Sequence, residues 1–138
     1  MAVAAWHALE EKPDARVSSA GIAAQNGARA ERHAVAVARE WNYDLRSHAA
    51  RQIDAEMMHD SDLVCTMTQA GADSLRENYP AFVEKTRVLG EFAPGELRAR
   101  DIDDPFGGSL EEYGRCATQI CSAIRGLAAT LAGGKISG

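Results

Sequence analysis

The chain has 138 residues, of which 46% are hydrophobic and 25% charged, and its formal net charge is −5 at pH 7. This length predicts a single domain with a sizeable core, and the composition is typical of a soluble globular protein. Because the chain is acidic and carries no run of basic residues, nucleic acid and anionic membranes are not expected as partners. Its apolar stretches are too short to span a bilayer, and its first residues show no secretory pattern.

The chain contains three cysteines, Cys65, Cys116 and Cys121. Their number is odd and no two are spaced as Cys-x-x-Cys, which favours a reducing compartment, so we expect a cytoplasmic protein. No histidine, cysteine and aspartate cluster has the spacing of metal ligands, so we expect neither a metal nor a cofactor. The pattern indicates no particular oligomeric state.

The first half of the chain predicts two helices with a strand between them. A helix over residues 2–11 is followed by a strand over 16–20 and by a second helix over 28–41. His7 and His33 lie on these amphipathic helices and are interpreted as surface or boundary residues. The side chains expected to face the core are Ala2, Ala5, Trp6 and Leu9 on the first helix and Ala30, Ala34, Val37 and Trp41 on the second.

The second half predicts two further strands and three helices. A continuous apolar run over residues 62–67 indicates a strand buried on both faces. The remaining elements are short helices over 54–59 and 69–77, a strand over 86–89, a long loop over 91–108, and a last helix that begins near residue 110. Apolar residues recur every three or four positions from Leu110 to Leu131, and Gly133 ends this helix.

This alternation of strands and helices predicts an α/β fold, a three-layer arrangement in which helices flank both faces of a parallel sheet. Ligands of such sheets bind beyond the carboxyl ends of the strands. The predicted strands end near Gly21, Thr68 and Gly90. The 91–108 loop follows the last of these strands, so we expect it to lie over the same edge.

Within that loop, residues 101–109 form an acidic segment with the sequence Asp-Ile-Asp-Asp-Pro-Phe-Gly-Gly-Ser. Asp104 directly precedes Pro105, which holds its backbone extended. Ser109, with Glu112 three residues later, predicts a capping box at the start of the last helix. These residues suit a positioned proton donor, although a polar loop leading into a capped helix has the same pattern.

Four collinear blocks resemble the low-molecular-weight protein-tyrosine phosphatase family, and the likeness runs from Met1 to about Leu131. The acidic segment and the Met-Thr pair after the buried strand are more similar to the bacterial members, which include protein-arginine phosphatases. Arsenate reductases of related fold are a more distant resemblance. The blocks are Val17-Ser18-Ser19-Ala20-Gly21, Ser47-His48-x-x-Arg51-Gln52-Ile53, Asp62-Leu63-Val64-Cys65-Thr66-Met67-Thr68 and Asp104-Pro105-Phe106-Gly107-Gly108-Ser109.

The resemblance implies a sheet with strand order 2-1-3-4. Met1 aligns with the methionine of the family's Arg-Ser-Pro-Met-Ala, so the central first strand is expected to be missing and the domain, residues 1–138, to be N-terminally truncated. We expect one of three outcomes: the strand over 16–20 stands apart, it pairs with residues 63–65, or another chain fills the gap.

The resemblance also implies a mechanism and a set of site residues. In the family, a cysteine and an arginine spaced Cys-x5-Arg attack and clamp the phosphoryl group, forming a phosphocysteine. Asp104 matches the general acid and Phe106 a wall of the substrate slot. Ser19 and His48 match the residues that buttress the phosphate loop. The expected substrate is a protein phosphorylated on tyrosine or arginine, a choice that the sequence leaves open.

None of the cysteines has an arginine six positions further on, since those positions hold Gly71, Ser122 and Leu127. Cys65 lies in the apolar strand, where burial should raise its pKa, so it is interpreted as a core residue. We therefore expect a phosphatase-like domain without a nucleophile and without activity as it stands. The alternative is a non-catalytic binding module, against which the retained Asp104 block argues.

Overall fold

The computed structural model describes residues 2–9, 14–21, 32–41, 51–105 and 107–133. Its α-helices are α1 (Ala2–His7), α2 (Arg32–Glu40), α3 (Ala55–Asp60), α4 (Gln69–Asn78) and α5 (Leu110–Ala132). Its strands are β1 (Val64–Thr66) and β2 (Thr86–Val88), and 3₁₀ helices cover Pro80–Lys85, Leu89–Phe92 and Gly95–Leu97. None of these helices is long and apolar enough to cross a membrane.

Strands β1 and β2 pair in parallel, with Cys65 opposite Arg87 at the centre of the register. Helix α4 lies between them in sequence, as a parallel connection requires. These are the third and fourth strands of the order expected from the resemblance, and they are neighbours as that order predicts. The α/β class is therefore confirmed, with a small sheet and a large helical share.

Helix α5 carries most of the core, because its apolar residues recur at helical spacing along one side. Ala5 and Trp6 of α1 pack against it, which confirms the face predicted for the first helix. Leu89 and Ala93 join the same cluster from the region after β2. The α5 residues in this cluster are Cys116, Ile120, Ala123, Ile124, Leu127 and Ala128.

One close approach fixes how α5 meets the 3₁₀ helix Leu89–Phe92. A methyl group at Gly126 would overlap the carbonyl oxygen of Phe92. Glycine disfavours a helix interior by about 1 kcal/mol relative to alanine, so this position gives up helix propensity for close packing.

The strand predicted over residues 16–20 is wrong, because residues 15–20 have no regular secondary structure. Gly21 alone forms a parallel bridge, with Gln52, while Val17 packs against the main core. A segment becomes a strand only where a neighbour pairs with its backbone groups over several residues. The backbone hydrogen bonds described for this segment provide such pairing only at Gly21, and none joins it to β1.

Several other boundaries differ from the sequence predictions. The strand predicted over 62–67 covers only 64–66, and the one predicted over 86–89 ends at residue 88, because Leu89 begins a 3₁₀ helix. Helix α1 ends at His7 rather than continuing to residue 11. The loop predicted over residues 91–108 contains the 3₁₀ helix Gly95–Leu97 and the end of Leu89–Phe92. Short 3₁₀ turns have little periodicity, so the hydrophobic pattern could not distinguish them from a loop.

Candidate active site

The acidic segment lies at the carboxyl ends of both strands, as expected. The backbone N–H of Ile102 donates to the carbonyl of Met67 just after β1, at 2.8 Å. Just before the segment, the N–H of Ala99 donates to the carbonyl of Gly90 beyond β2, at 2.7 Å. The Ile102 side chain is buried in the main core, which makes this attachment apolar as well as polar.

A carboxylate fastens the first residue of the segment to a helix. Asp101 Oδ1 accepts a 2.9 Å hydrogen bond from the backbone N–H of Gln69, the first residue of α4. The N-terminal N–H groups of a helix have no partner within the helix, and the helix dipole favours a negative charge there. Asp101 therefore holds the segment and completes the start of α4.

The far end of the segment is a tight turn that leads into α5. The N–H of Gly108 donates to the carbonyl of Pro105 at 2.7 Å, and Gly107 has a φ of 80°, a conformation that glycine adopts readily. Ser109 Oγ then accepts a 3.2 Å bond from the N–H of Glu112, which is the N-cap half of the predicted capping box. The Ser109 hydroxyl also lies 3.5 Å from Glu112 Oε1.

Asp104 lies between these two anchors with its side chain exposed to solvent. Burial raises the pKa of the Cys116 thiol on α5, and the negative charges of Asp104 and Asp103 raise it further. A solvent-facing carboxylate at the carboxyl edge of a parallel sheet can donate a proton to a group bound there.

Ser19 is brought next to the second motif of the sequence. The N–H of Gly21 donates to the Arg51 carbonyl at 2.7 Å, and the Ile53 N–H returns a 2.9 Å bond to the Gly21 carbonyl. The Arg51 guanidinium lies 3.5 Å from the Ser19 carbonyl oxygen. The Ser19 side chain is exposed, whereas His48 and Phe106 lie outside the described residues.

The three cysteines are free thiols, and two have raised pKa values. Burial raises the pKa of Cys65 to about 12, with a further contribution from Glu91 that Arg87 opposes. A thiol with such a pKa is almost entirely protonated near neutral pH and is a poor nucleophile. Cys65 is half-buried and packs against the main core, which agrees with its interpretation as a core residue, whereas Cys116 is buried.

Sequence reasoning missed two residues that hold the acidic segment. In the sequence, Asp101 is only one member of the acidic run. His33, interpreted as a surface or boundary residue, has its Nδ1 atom 3.2 Å from the Gly108 carbonyl oxygen, 75 positions further along the chain. No local spacing could reveal that contact, because it depends on how α2 packs against α5.

One cavity formed by the described residues lies away from the acidic segment. This cavity of about 390 Å³ opens beside the residues that precede β1 and β2, at the opposite ends of the strands from the acidic segment. Lys85 lies there, with its Nζ atom donating to the carbonyls of Ser61 at 2.7 Å and His59 at 3.1 Å. Within the part of the chain that the structure describes, no group of histidine, cysteine and carboxylate side chains could hold a metal ion.

Sequence comparison relates the chain to one family of known proteins. The model of the low molecular weight phosphotyrosine protein phosphatase family matches residues 2–135. The chain is 34% identical to a protein-arginine-phosphatase of Geobacillus stearothermophilus over 125 residues, which are 89% of this chain and 82% of the relative. It is 30% identical to the low molecular weight protein-tyrosine-phosphatase Wzb of Escherichia coli K12 over 113 residues, 82% of this chain and 74% of that protein.

Comparison with solved structures finds a relative of the same kind. The structure of the YwlE arginine phosphatase from Geobacillus stearothermophilus matches with a TM-score of 0.86 and 30% sequence identity. The match covers 97% of this chain and 84% of that one.

Proposed function

Because the chain belongs to the low molecular weight phosphotyrosine protein phosphatase family, we propose that its domain serves to remove phosphoryl groups from protein side chains in the cytoplasm. The proposed substrate is a protein carrying phosphotyrosine or phosphoarginine. Relatives named for each activity support both choices, at 34% identity for an arginine phosphatase and 30% for a tyrosine phosphatase.

Asp104 is the general acid of this proposal. In the family's reaction a thiolate attacks phosphorus and the bond from phosphorus to the leaving oxygen or nitrogen breaks, so the leaving group needs a proton. Asp104 supplies that proton and then, as a carboxylate, takes one from the water that hydrolyses the phosphocysteine. The observation that carries the proposal is the anchoring of the acidic segment at the carboxyl ends of β1 and β2, with Asp104 exposed between the anchors.

The nucleophile is the part that the 138 residues do not provide. They contain no Cys-x5-Arg pair, and the raised pKa of Cys65 makes that thiol unsuitable. We propose that catalysis needs a phosphate loop with this pair, buttressed by Ser19 and His48, and that Phe106 forms one wall of the slot beside it. A non-catalytic module that binds phosphorylated proteins is the second candidate, and the same lack of a Cys-x5-Arg pair favours it.

Adding the missing chemistry tests the proposal. The phosphate-loop segment of the Geobacillus relative is fused before Met1, and turnover of an aryl phosphate is measured. We expect turnover that is lost in a matched fusion whose loop cysteine is replaced by serine. If the folded fusion shows no turnover and the unaided chain binds a phosphorylated peptide, the binding module replaces the phosphatase proposal.

The same fusion protein is suited to a comparison of substrates. Rates on a phosphotyrosine peptide and on a phosphoarginine protein are measured side by side at equal concentration. Release of phosphate from either one supports a protein phosphatase. Turnover of the aryl phosphate without release from either phosphorylated protein would exclude both proposed substrates.

A further inference from the structure

The polar side chain of His33 joins helix α2 to the acidic segment. His33, the second residue of α2, places its Nδ1 atom 3.2 Å from the carbonyl oxygen of Gly108. A carbonyl oxygen only accepts hydrogen bonds, so the histidine must carry a proton on Nδ1 to make this contact. The histidine is half-buried, which limits competition from water for the same carbonyl.

The ring of His33 is also held by an aromatic neighbour. Its centroid lies 5.4 Å from that of Tyr113 on α5, with 69° between the ring planes, an edge-on arrangement that aromatic rings favour. Tyr113 is itself buried in a small cluster with Val37 of α2 and Ala117 of α5. Packing between the two helices therefore fixes the direction in which Nδ1 points.

The contact is linked to Asp104 by a short series of bonds. The carbonyl of Gly108 accepts from His33, and its N–H donates to the carbonyl of Pro105. Pro105 is joined directly to Asp104. Because Gly107 and Gly108 carry no side chains, their own backbone preferences restrain this turn weakly. An outside contact is needed to hold it in one conformation.

We infer that His33 is a positioning residue for Asp104, acting through the turn that Pro105 and Gly108 close. The inference rests on the proposed function, in which Asp104 is the proton donor. Without the His33 hydrogen bond, the Pro105–Gly108 turn opens more often and Asp104 spends less time in its working position. His33 has no contact with substrate in this scheme and takes no part in proton transfer.

Two substitutions separate the hydrogen bond from the ring packing. His33→Phe keeps an aromatic ring against Tyr113 but removes the donor. His33→Asn removes the ring but places an amide N–H close to the position of Nδ1. Amide hydrogen exchange of Gly108 in the 138-residue chain reports opening of the turn, and exchange of Ile120 within α5 reports global stability.

Removing the donor should speed exchange at Gly108 roughly two- to tenfold, the equivalent of one ordinary hydrogen bond. The expected result is this acceleration in His33→Phe, recovery in His33→Asn, and a smaller change at Ile120. If the phenylalanine variant does not fold, His33→Leu replaces it. Unchanged exchange at Gly108, or equal acceleration in the Phe and Asn variants, would overturn the inference.

The catalytic consequence is measured in the fusion that carries a phosphate loop. A poorly positioned general acid should make kcat depend more steeply on the pKa of the leaving group, in His33→Phe but not in His33→Asn. An equal loss for good and poor leaving groups would contradict positioning of Asp104. If the fusion has no turnover at all, the proposed function fails, while the exchange experiment still decides whether His33 holds the turn.

Discussion

Asp103 and Asp104 are both exposed carboxylates, but only Asp104 is followed by a proline. Proline restricts the backbone of the residue before it and leaves earlier residues free. Asp104 is therefore the carboxylate with a defined position relative to the Pro105–Gly108 turn. Because the two side chains are identical, only the restraint on the backbone distinguishes Asp104 from Asp103.

Replacing each carboxylate by its amide should separate their roles. In the fusion with a phosphate loop, we expect Asp104→Asn to lower kcat by about 10²–10⁴-fold, the usual contribution of general acid catalysis. Asp103→Asn makes the same change in charge, with the same side-chain shape, one position earlier, and we expect it to lower kcat less. Steady-state kinetics on an aryl phosphate measure both. A larger or equal loss at Asp103 would identify it as the acid.

The thiol of Cys65 makes the unfolding free energy depend on pH in the alkaline range. Its pKa is raised from 9.0 to about 12, chiefly by burial. Above pH 9 an unfolded chain releases this proton while the folded chain retains it. The contribution of the protonated thiol to the unfolding free energy is therefore full below pH 9 and is lost as the pH approaches 12. From pH 8 to 10.5, we expect the wild type to lose about 1–2 kcal/mol more unfolding free energy than Cys65→Ala.

Urea denaturation of the two proteins at both pH values measures this difference. The alanine variant is the control for tyrosine, lysine and other groups that titrate in the same range. Its own stability will be lower at every pH, because it leaves a cavity, so only the change with pH is compared. Parallel pH dependences in the two proteins would show that Cys65 does not carry the effect.

Among the elements, α5 and the 3₁₀ helix Leu89–Phe92 form the contact most sensitive to shape. Gly126 permits it, because an added methyl group would meet the Phe92 carbonyl, a backbone group that cannot turn aside. Gly114 lies in the same helix with open space around it. The two glycines thus have the same helix propensity and opposite packing requirements.

Alanine at these two glycines should have effects of opposite sign. Better helix propensity is worth up to about 1 kcal/mol, whereas overpacking typically costs 1–3 kcal/mol, so we expect Gly126→Ala to lower the unfolding free energy by about 1–2 kcal/mol. Gly114→Ala should raise it by about 0.5–1 kcal/mol. Chemical denaturation measures both. A stabilised Gly126→Ala would mean that the 3₁₀ helix moves away without penalty.

The secondary-structure elements differ in how well the sequence predicts them. Helix α5, its Ser109 cap and the strands at 64–66 and 86–88 follow from local signals, namely periodicity, capping residues and an apolar run. The strand expected over 16–20 failed because pairing partners, which local sequence does not specify, decide whether a segment is a strand. The position of Asp104 at the sheet edge was predictable from topology, whereas the His33 contact was not.

For the whole molecule, the proposed function assigns the proton donor to Asp104, while the 138 residues contain no Cys-x5-Arg pair to attack and clamp a phosphoryl group. A general acid assists a leaving group only when a nucleophile attacks. We therefore expect the 138-residue chain alone to show no phosphatase activity above that of Asp104→Ala, measured with an aryl phosphate at high enzyme concentration. Turnover that exceeds this control would show that the described residues contain a nucleophile that their pKa values do not reveal.

The anchors of the acidic segment have a consequence for insertions and deletions. Asp101 is bonded to the start of α4, and Ser109 already caps α5, so the chain between them is held at both ends. One residue more or fewer between Asp104 and Ser109 would either move the carboxylate from the sheet edge or unwind the first turn of α5. The exposed positions 94–96 have neither restraint, so we expect changes in loop length in this part of the fold to be accommodated there.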